Sequence, residues 1–308
     1  MIKKDIFQHD VKAQFQASAK ERLYRFLMAD DQIKGVVVHG TRMVKEMQAN
    51  HDLGPLETLV LGQAYIAVAL MSAPLKGRDR IAMKIQCSGP IKGLDVEGNA
   101  FGEIRGYLKA NPIEIKNPEK IKWLSTLYGA GFLSVTRYIE DTNRPYTGQI
   151  ALVHGAIAED LAEYFLTSEQ IPSGFILSVA FDENENVTGA GGIFLQALPG
   201  AQPDNVARAE NLIRNINALG NCFAQNQTPE SIIETGFADL SPRFLDSSRV
   251  EFYCPCTKER MGGYLKNLPK KECTDILANG PFPLELRCHH CNSVYRFSQK
   301  ELTGLLTG

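Results

Sequence analysis

Four cysteines in the last fifth of the chain constrain what it can fold into more than any other feature. They form a C-x-C pair, Cys254-Pro255-Cys256, and a C-x-x-C pair, Cys288-His289-His290-Cys291, with 31 residues between them (257 to 287). Zinc favours four thiolates at the corners of a tetrahedron, and short knuckles bring two sulfurs onto one ion without straining the backbone. The pattern therefore reads as one tetrathiolate site rather than four unrelated buried thiols, with Cys254, Cys256, Cys288 and Cys291 as ligands of a single zinc ion. A C-x-C bite is tighter than the common C-x-x-C knuckle, and Pro255 stiffens it. So small a segment has little core of its own. A bound metal would supply much of its folding free energy, on the order of 10–16 kcal/mol of apparent binding energy.

The flanking sequence predicts helices over Thr257–Leu268 and Lys270–Ala278, a Gly-Pro turn, and strands at Pro283–Arg287 and Val294–Phe297. A last helix opens at the capping box Ser298-Gln299-Lys300-Glu301. Lys258 and Arg260, just after the first knuckle, are the cations placed to favour thiolates.

Upstream, residues 1–34 read as a strand and a short helix, Lys20–Leu27. Met43, Val44 and Met47 mark a helix face over Thr41–Asn50. The apolar stretch Leu56–Met71, interrupted by Glu57, Thr58 and Gln63, is too short to span a bilayer and reads as a buried helix. Alternation begins at Ile81, Met83, Ile85 and Cys87. Strand runs follow at Ile91–Val96, Glu103–Leu108, Phe132–Tyr138, Gly148–Val153, Phe175–Phe181 and Ile193–Leu198, with one helix at Ala158–Thr167. Strands in succession with few alternating helices indicate an α+β fold rather than a doubly wound parallel sheet. Gly189-Ala190-Gly191-Gly192 lacks the context of a nucleotide loop and reads as a turn between strands.

After Pro199-Gly200 the pattern changes again. Val206, Ala209, Leu212, Ile213, Ile216 and Leu219 recur at helical spacing, and Ile232, Ile233, Phe237 and Leu240 follow Pro229. These amphipathic helices must dock on a neighbour to bury their apolar faces. The same faces, Leu212, Ile213, Ile216, Ile232, Ile233 and Phe237, would become a binding surface if that docking were lost. Three parts result: a strand-rich mixed α/β core at 1–200, a helical linker at 201–246 and a four-cysteine zinc domain at 247–308.

The N-terminal ten residues have no apolar core of a secretory signal, so the chain is expected in the cytosol. Seven cysteines in a reducing compartment point to metal or redox chemistry rather than structural disulfides. A net charge of −2 gives no reason to expect nucleic acid or an anionic membrane as partner. Scattered histidines (His9, His39, His51, His154) form no catalytic signature, and no enzyme is indicated.

The two cysteine pairs resemble the zinc ligands of the redox-regulated heat-shock holdase family, the 33 kDa chaperonins. The likeness extends to Asn50-His51-Asp52, Leu75-Lys76 after the buried helix, Gln86 through Gly89-Pro90, Tyr164-Phe165 with Ser168-Glu169-Gln170, and Ala190-Gly191-Gly192 through Leu195-Gln196. What it implies is an ATP-independent chaperone, inactive while reduced and zinc-bound. Oxidation would form disulfides within each knuckle, 254–256 and 288–291, release zinc and unfold switch and linker. The active form, often a dimer, would hold unfolding client proteins and pass them to an ATP-dependent chaperone. Disulfides that close loops of a few residues recover little chain entropy, so such pairing would replace a long-range staple by two local ones.

Two departures stay open. Cys273 lies between the knuckles, as a buried thiol or an alternative disulfide partner, and His289 and His290 could offer nitrogen ligands. Two rival classes also stand beside the chaperone. A nucleic-acid-binding zinc module would use the mild excess of nine Lys/Arg over six Asp/Glu in residues 249–308. A thiol oxidoreductase would use Cys288 and Cys291, but its motif belongs at a helix N-terminus, whereas this one precedes a predicted strand.

Overall fold

The computed structural model of the protein describes residues 1–115, 124–140, 142, 144–216 and 218–306. The first half runs α1 (Val11–Lys20), β1 (Arg22–Met28), β2 (Ile33–His39), α2 (Thr41–His51), α3 (Pro55–Ser72), β3 (Arg80–Cys87), β4 (Gly93–Asn99) and β5 (Glu103–Leu108). It continues with β6 (Gly131–Tyr138), β7 (Tyr146–Ala151), α4 (Ile157–Thr167), β8 (Ser173–Phe181) and β9 (Val187–Ala197). Helices α5 (Pro203–Asn215), α6 (Leu219–Ala224) and α7 (Pro229–Gly236) lead to β10 (Arg243–Arg249) and β11 (Glu251–Phe252). The C-terminal part holds α8 (Lys258–Leu265), α9 (Lys270–Asn279), β12 (Leu284–Arg287), β13 (Val294–Phe297) and α10 (Gln299–Leu306).

Helix α3 organises the core. Every residue from Ala64 to Ser72 is buried, which is why the stretch shows no polar stripe. By length and composition α3 does pass for a membrane span, at 18 residues and a mean hydropathy of 1.3, yet 78% of it is buried inside the protein. It lies between two sheets. One has five antiparallel strands in the order β10-β1-β2-β9-β8; the other has six in the order β11-β5-β4-β3-β6-β7, antiparallel except where β11 joins β5. The fold is α+β, as the succession of strands indicates.

The five-stranded sheet is apolar on both faces. Leu23, Val36, Val38, Ala190 and Phe194 join the cluster around α3, while Phe26, Met28, Ile33, Val37, Ile193 and Leu195 form a second cluster with the linker helices. Alternate residues of one strand thus serve two cores, which explains the consecutive valines of β2.

Gly189-Ala190-Gly191-Gly192 is not a turn but part of β9. A Cβ at Gly189 would lie 1.9 Å from the Gly220 carbonyl oxygen of α6, and one at Gly192 would lie 2.6 Å from Ile66 of α3. The glycines let helices rest directly on the strand from both sides.

Three further expectations are corrected. The N-terminal order is helix then strand. Asp10 caps α1 by accepting from Ala13 N at 3.0 Å, and Arg22–Met28 pairs with strands on both sides. Strands β2 and β10 escape the sequence reading altogether, and the 246/247 boundary falls inside β10. The first linker helix ends at Asn215; Ile216 turns extended, and α6 begins anew at Leu219. The break lets α6 settle on β8 and β9, where Gly220 N donates to Ser178 Oγ at 3.0 Å.

Candidate metal centre

The first knuckle emerges from the core sheet. Strand β11 pairs with β5 in parallel, Tyr253 N donates to the Ile104 carbonyl at 3.1 Å, and Cys254 and Cys256 follow at once. Thr257 then caps α8, accepting from Arg260 N at 3.2 Å. The second knuckle is the loop of the β12–β13 hairpin. Cys288 N donates to the Ser293 carbonyl at 2.9 Å, and Asn292 N closes on the Cys288 carbonyl at 2.7 Å. Asn292 takes a left-handed φ of 57°, a conformation asparagine tolerates better than most residues.

These two turns bring four sulfurs together from 31 residues apart in sequence. All four lie within 4.8 Å of one another, and all four cysteines are buried. Across the knuckles, Cys254 Sγ stands 3.8 Å from Cys288 Sγ, and Cys256 Sγ 3.3 Å from Cys291 Sγ. The cluster can hold one metal ion. Neither His289 nor His290 belongs to it; both rings pack near Tyr107, at 5.7 and 5.6 Å. Cys273 stands apart, its thiol directed at the Leu265 and Leu268 carbonyls, each at 3.7 Å.

The cation at the cluster comes from the core. Arg105 of β5, ion-paired with Glu97, donates to Cys254 Sγ at 3.4 Å. Lys258 instead pairs with Glu301, and Arg260 donates to the Pro255 carbonyl at 3.0 Å. Cys254 is held well below the usual thiol range, chiefly because the Cys288 and Cys291 thiols donate to it, with Arg105 adding to the effect. Hydrogen bonding to Cys254 in turn pushes Cys288 up to about 11 and Cys291 further still; on a bound metal ion all four would be thiolates.

Several tethers to this cluster are invisible in the cysteine pattern. Asn50 at the end of α2 donates from Nδ2 to the carbonyls of Cys291 at 2.8 Å and Ile2 at 3.0 Å, and its Oδ1 accepts from Lys4 N at 2.8 Å. Ile2 N donates to Ser293 Oγ at 2.9 Å, and the Met1 amino group donates to the Cys256 carbonyl at 2.7 Å. Tyr295 donates to the same carbonyl at 2.9 Å. Residues 1–4 thus lace both knuckles to α2.

The predicted linker residues lie elsewhere. Ile213, Ile232, Ile233 and Phe237 are buried in the second apolar cluster, and Leu212 and Ile216 are half-buried against it. The structure brings them together on the outer face of the five-stranded sheet, away from the sulfur cluster. Cys222 joins them, and Cys87 is half-buried in β3.

Comparison with known proteins bears on this arrangement. Residues 21–298 match the family described as Hsp33 protein. The chain belongs to the Hsp33 family. Members are redox-regulated holdase chaperones rather than enzymes, and binding of client proteins is their general activity. Among curated Hsp33 relatives, a 33 kDa chaperonin of Agathobacter rectalis is 36% identical over 91% of this chain and 97% of its own length. One of Desulforamulus reducens is 34% identical over 93% and 97%. The crystal structure of the 33 kDa chaperonin of Thermotoga maritima superposes with a TM-score of 0.84, at 31% identity, over 94% of this chain and 98% of its own.

Proposed function

We propose that this chain is a cytosolic holdase whose four cysteines hold one zinc ion while reduced and release it on oxidation. The observation that carries the reading is the buried sulfur cluster itself. Zinc–sulfur bonds of about 2.3 Å place tetrahedral sulfurs about 3.8 Å apart; all four sulfurs here lie within 4.8 Å of one another, and two of the pairs across the knuckles stand at 3.8 and 3.3 Å. When bound, zinc supplies a cross-link between two segments that otherwise share only a small core. That core consists mainly of Met261, Leu265, Tyr295, Phe297 and Leu302, and α9 buries no residue fully.

Oxidation converts the ligands Cys254, Cys256, Cys288 and Cys291 into disulfides that cannot serve as thiolates. In the folded state a sulfur pair across the knuckles, Cys256 and Cys291, stands only 3.3 Å apart. Once the module loosens, however, pairing across the knuckles must close a loop of about 35 residues, whereas 254–256 and 288–291 stay close by chain connectivity. The pairing within each knuckle is therefore the one we assign.

The module and the linker pack in separate apolar clusters, and the chain between them is β10 with Val250. Loss of the module frees the far end of that edge strand, which among the described residues pairs only with β1. Undocking of α5, α6 and α7 then bares two matching apolar faces. One is the sheet's Phe26, Met28, Val37, Ile193 and Leu195; the other is the helices' own Leu212, Ile213, Ile216, Ile232, Ile233 and Phe237. These faces hold unfolding clients. The oxidised form is a homodimer that passes clients to an ATP-dependent chaperone.

The test follows zinc release with a chromogenic chelator, far-UV circular dichroism and light scattering of an unfolding client during peroxide treatment at heat-shock temperature. About one zinc per chain should appear as helicity falls and aggregation stops. A reduced, metal-loaded protein that suppresses aggregation equally well would overturn the switch.

A further inference from the structure

A cleft of about 580 Å³ runs along the cysteine cluster between β5, α8 and the second knuckle. Only one member of each cysteine pair lines it: Cys256 from the first and Cys288 from the second. Their partners, Cys254 and Cys291, do not reach it and are wholly buried at 0% exposure, against 6% and 8% for Cys256 and Cys288. Three arginines also line the cleft, Arg105, Arg260 and Arg287, and no carboxylate does so among the described residues. Glu97 compensates Arg105 from behind. Arg260 and Arg287 make no ion pair among the described residues; they donate instead to the neutral Pro255 carbonyl and Asn292 side-chain oxygen, at 3.0 and 2.7 Å. Two uncompensated positive charges therefore flank the route by which solvent meets the cluster.

A cleft of one charge sign raises the local concentration of the opposite ion and its rate of encounter by about tenfold or more. We propose that this cleft selects anionic peroxides over neutral ones and delivers them to Cys256 or Cys288. The proposal rests on the thiol-switch reading above and names the class of oxidant that the switch favours. The chemistry is an oxygen transfer. A thiolate attacks the outer peroxide oxygen of a peroxyacid anion, the O–O bond breaks, and the acid's conjugate base departs, leaving a sulfenic acid. With peroxymonosulfate the products are the sulfenic acid and sulfate. The neighbouring thiolate of the same pair, Cys254 or Cys291, then attacks the sulfenic sulfur and expels hydroxide, forming the disulfide. Hydrogen peroxide runs the same sequence with hydroxide as first leaving group, but it carries no charge for the arginines to attract.

The experiment uses the full-length, reduced, zinc-loaded chain and compares peroxymonosulfate with hydrogen peroxide as probes. Zinc release is read by stopped flow, with wild type beside the R260E/R287E double variant. At low ionic strength the variant should release zinc about tenfold more slowly with peroxymonosulfate and within twofold of wild type with hydrogen peroxide. In wild type alone, added salt should slow peroxymonosulfate and leave hydrogen peroxide unchanged. That arm holds even if the double variant loads zinc poorly. Sulfenic acid trapped early with a dimedone probe should map to Cys256 or Cys288. The inference falls if both oxidants respond alike to charge reversal and salt, or if Cys254 or Cys291 is labelled first. Failure of both oxidants to release zinc from wild type would instead sink the thiol-switch reading.

Discussion

On one face of the five-stranded sheet, Val36, Val38 and Phe194 pack in the cluster around α3; on the other, Val37, Ile193 and Leu195 pack with α5, α6 and α7. The side chains are equally apolar, yet their covers differ. Helix α3 is one 18-residue element, buried at every residue from Ala64 to Ser72, and the six-stranded sheet lies beyond it. The linker helices span 13, 6 and 8 residues, and α5 buries only Ala209 and Ile213. Helices this short have little stability of their own and persist by docking. One sheet therefore carries a core closed by a long buried helix on one side and a cover of short docked helices on the other.

The largest effect expected is on the tie that holds the module beyond that cover. Cys254→Ser should abolish metal binding and remove on the order of 10 kcal/mol of apparent stabilisation from the module. Hydrogen exchange should show the amides of α8, β12 and β13 losing protection while those of α3 and β9 keep theirs. Unchanged metal content, or collapse of α3 together with the module, would contradict the separation.

Next comes the cover itself. Phe237 is fully buried and its ring lies 6.5 Å from that of Phe26. Phe237→Ala should cost about 4 kcal/mol. Because the cavity opens on the linker side, the loss should appear as exposure of α5–α7 and binding of an apolar dye by the reduced protein, with α3 intact. A variant that melts as one unit would show that the two faces are not separable.

How much of this could be read from the chain alone depended on where the stabilising contacts lie. Helix α3 and strands such as β5 announce themselves because their burial is written in their own residues. Strand β10 does not. Arg243-Phe244-Leu245-Asp246-Ser247-Ser248-Arg249 is mostly polar, and its place is set by backbone pairing with β1, which no side-chain pattern records. The glycines of β9 suggest a turn because glycine marks both turns and close helix approach; only the seats of α6 and α3 distinguish them. At the sulfur cluster, spacing made the convergence of the four cysteines legible. Arg105 was not, because it reaches Cys254 across 149 residues, and the cations next in sequence turned out to serve other partners.

A smaller effect distinguishes the two faces by pH. His39, at the end of β2, packs against Phe223 of α6 with ring centroids 4.4 Å apart and planes tilted by 32°, and its Nδ1 lies 3.0 Å from the Lys20 carbonyl. With Nδ1–H donating there, Nε2 accepts from the Thr41 hydroxyl at 3.0 Å, so the neutral ring is fully satisfied. Burial lowers its pKa from the ordinary 6.5 to about 4. The unfolded chain then binds the extra proton between those values, so this contribution is complete above about pH 6.5 and is lost as pH falls toward 4. It amounts to about 3 kcal/mol. Measured against intrinsic exchange rates, amides of α6 should lose protection between pH 7 and pH 5 while those of α3 do not, and His39→Gln should flatten the difference. Equal loss of protection on both faces would remove His39 from the account.

The smallest effect concerns how the module sits on the core around α3 rather than whether it folds. Asn50 belongs to α2, yet its side chain satisfies the Cys291 carbonyl and, through Ile2 and Lys4, holds the N-terminal strap against the second knuckle. Asn50→Ala leaves these buried or half-buried groups without their partner, at a cost of about 2 kcal/mol. The four sulfurs are untouched, so metal stoichiometry should stay at one per chain. The temperature at which the metal is lost should fall by several degrees, and peroxide should release it faster. Deleting residues 2–4 removes the strap but keeps the Asn50–Cys291 bond, and should produce part of the same shift. If Asn50→Ala lowered metal content as Cys254→Ser does, the residue would be part of the folding nucleus of the module. If it changed neither temperature nor rate, the docking would rest on β11 and the sulfurs alone.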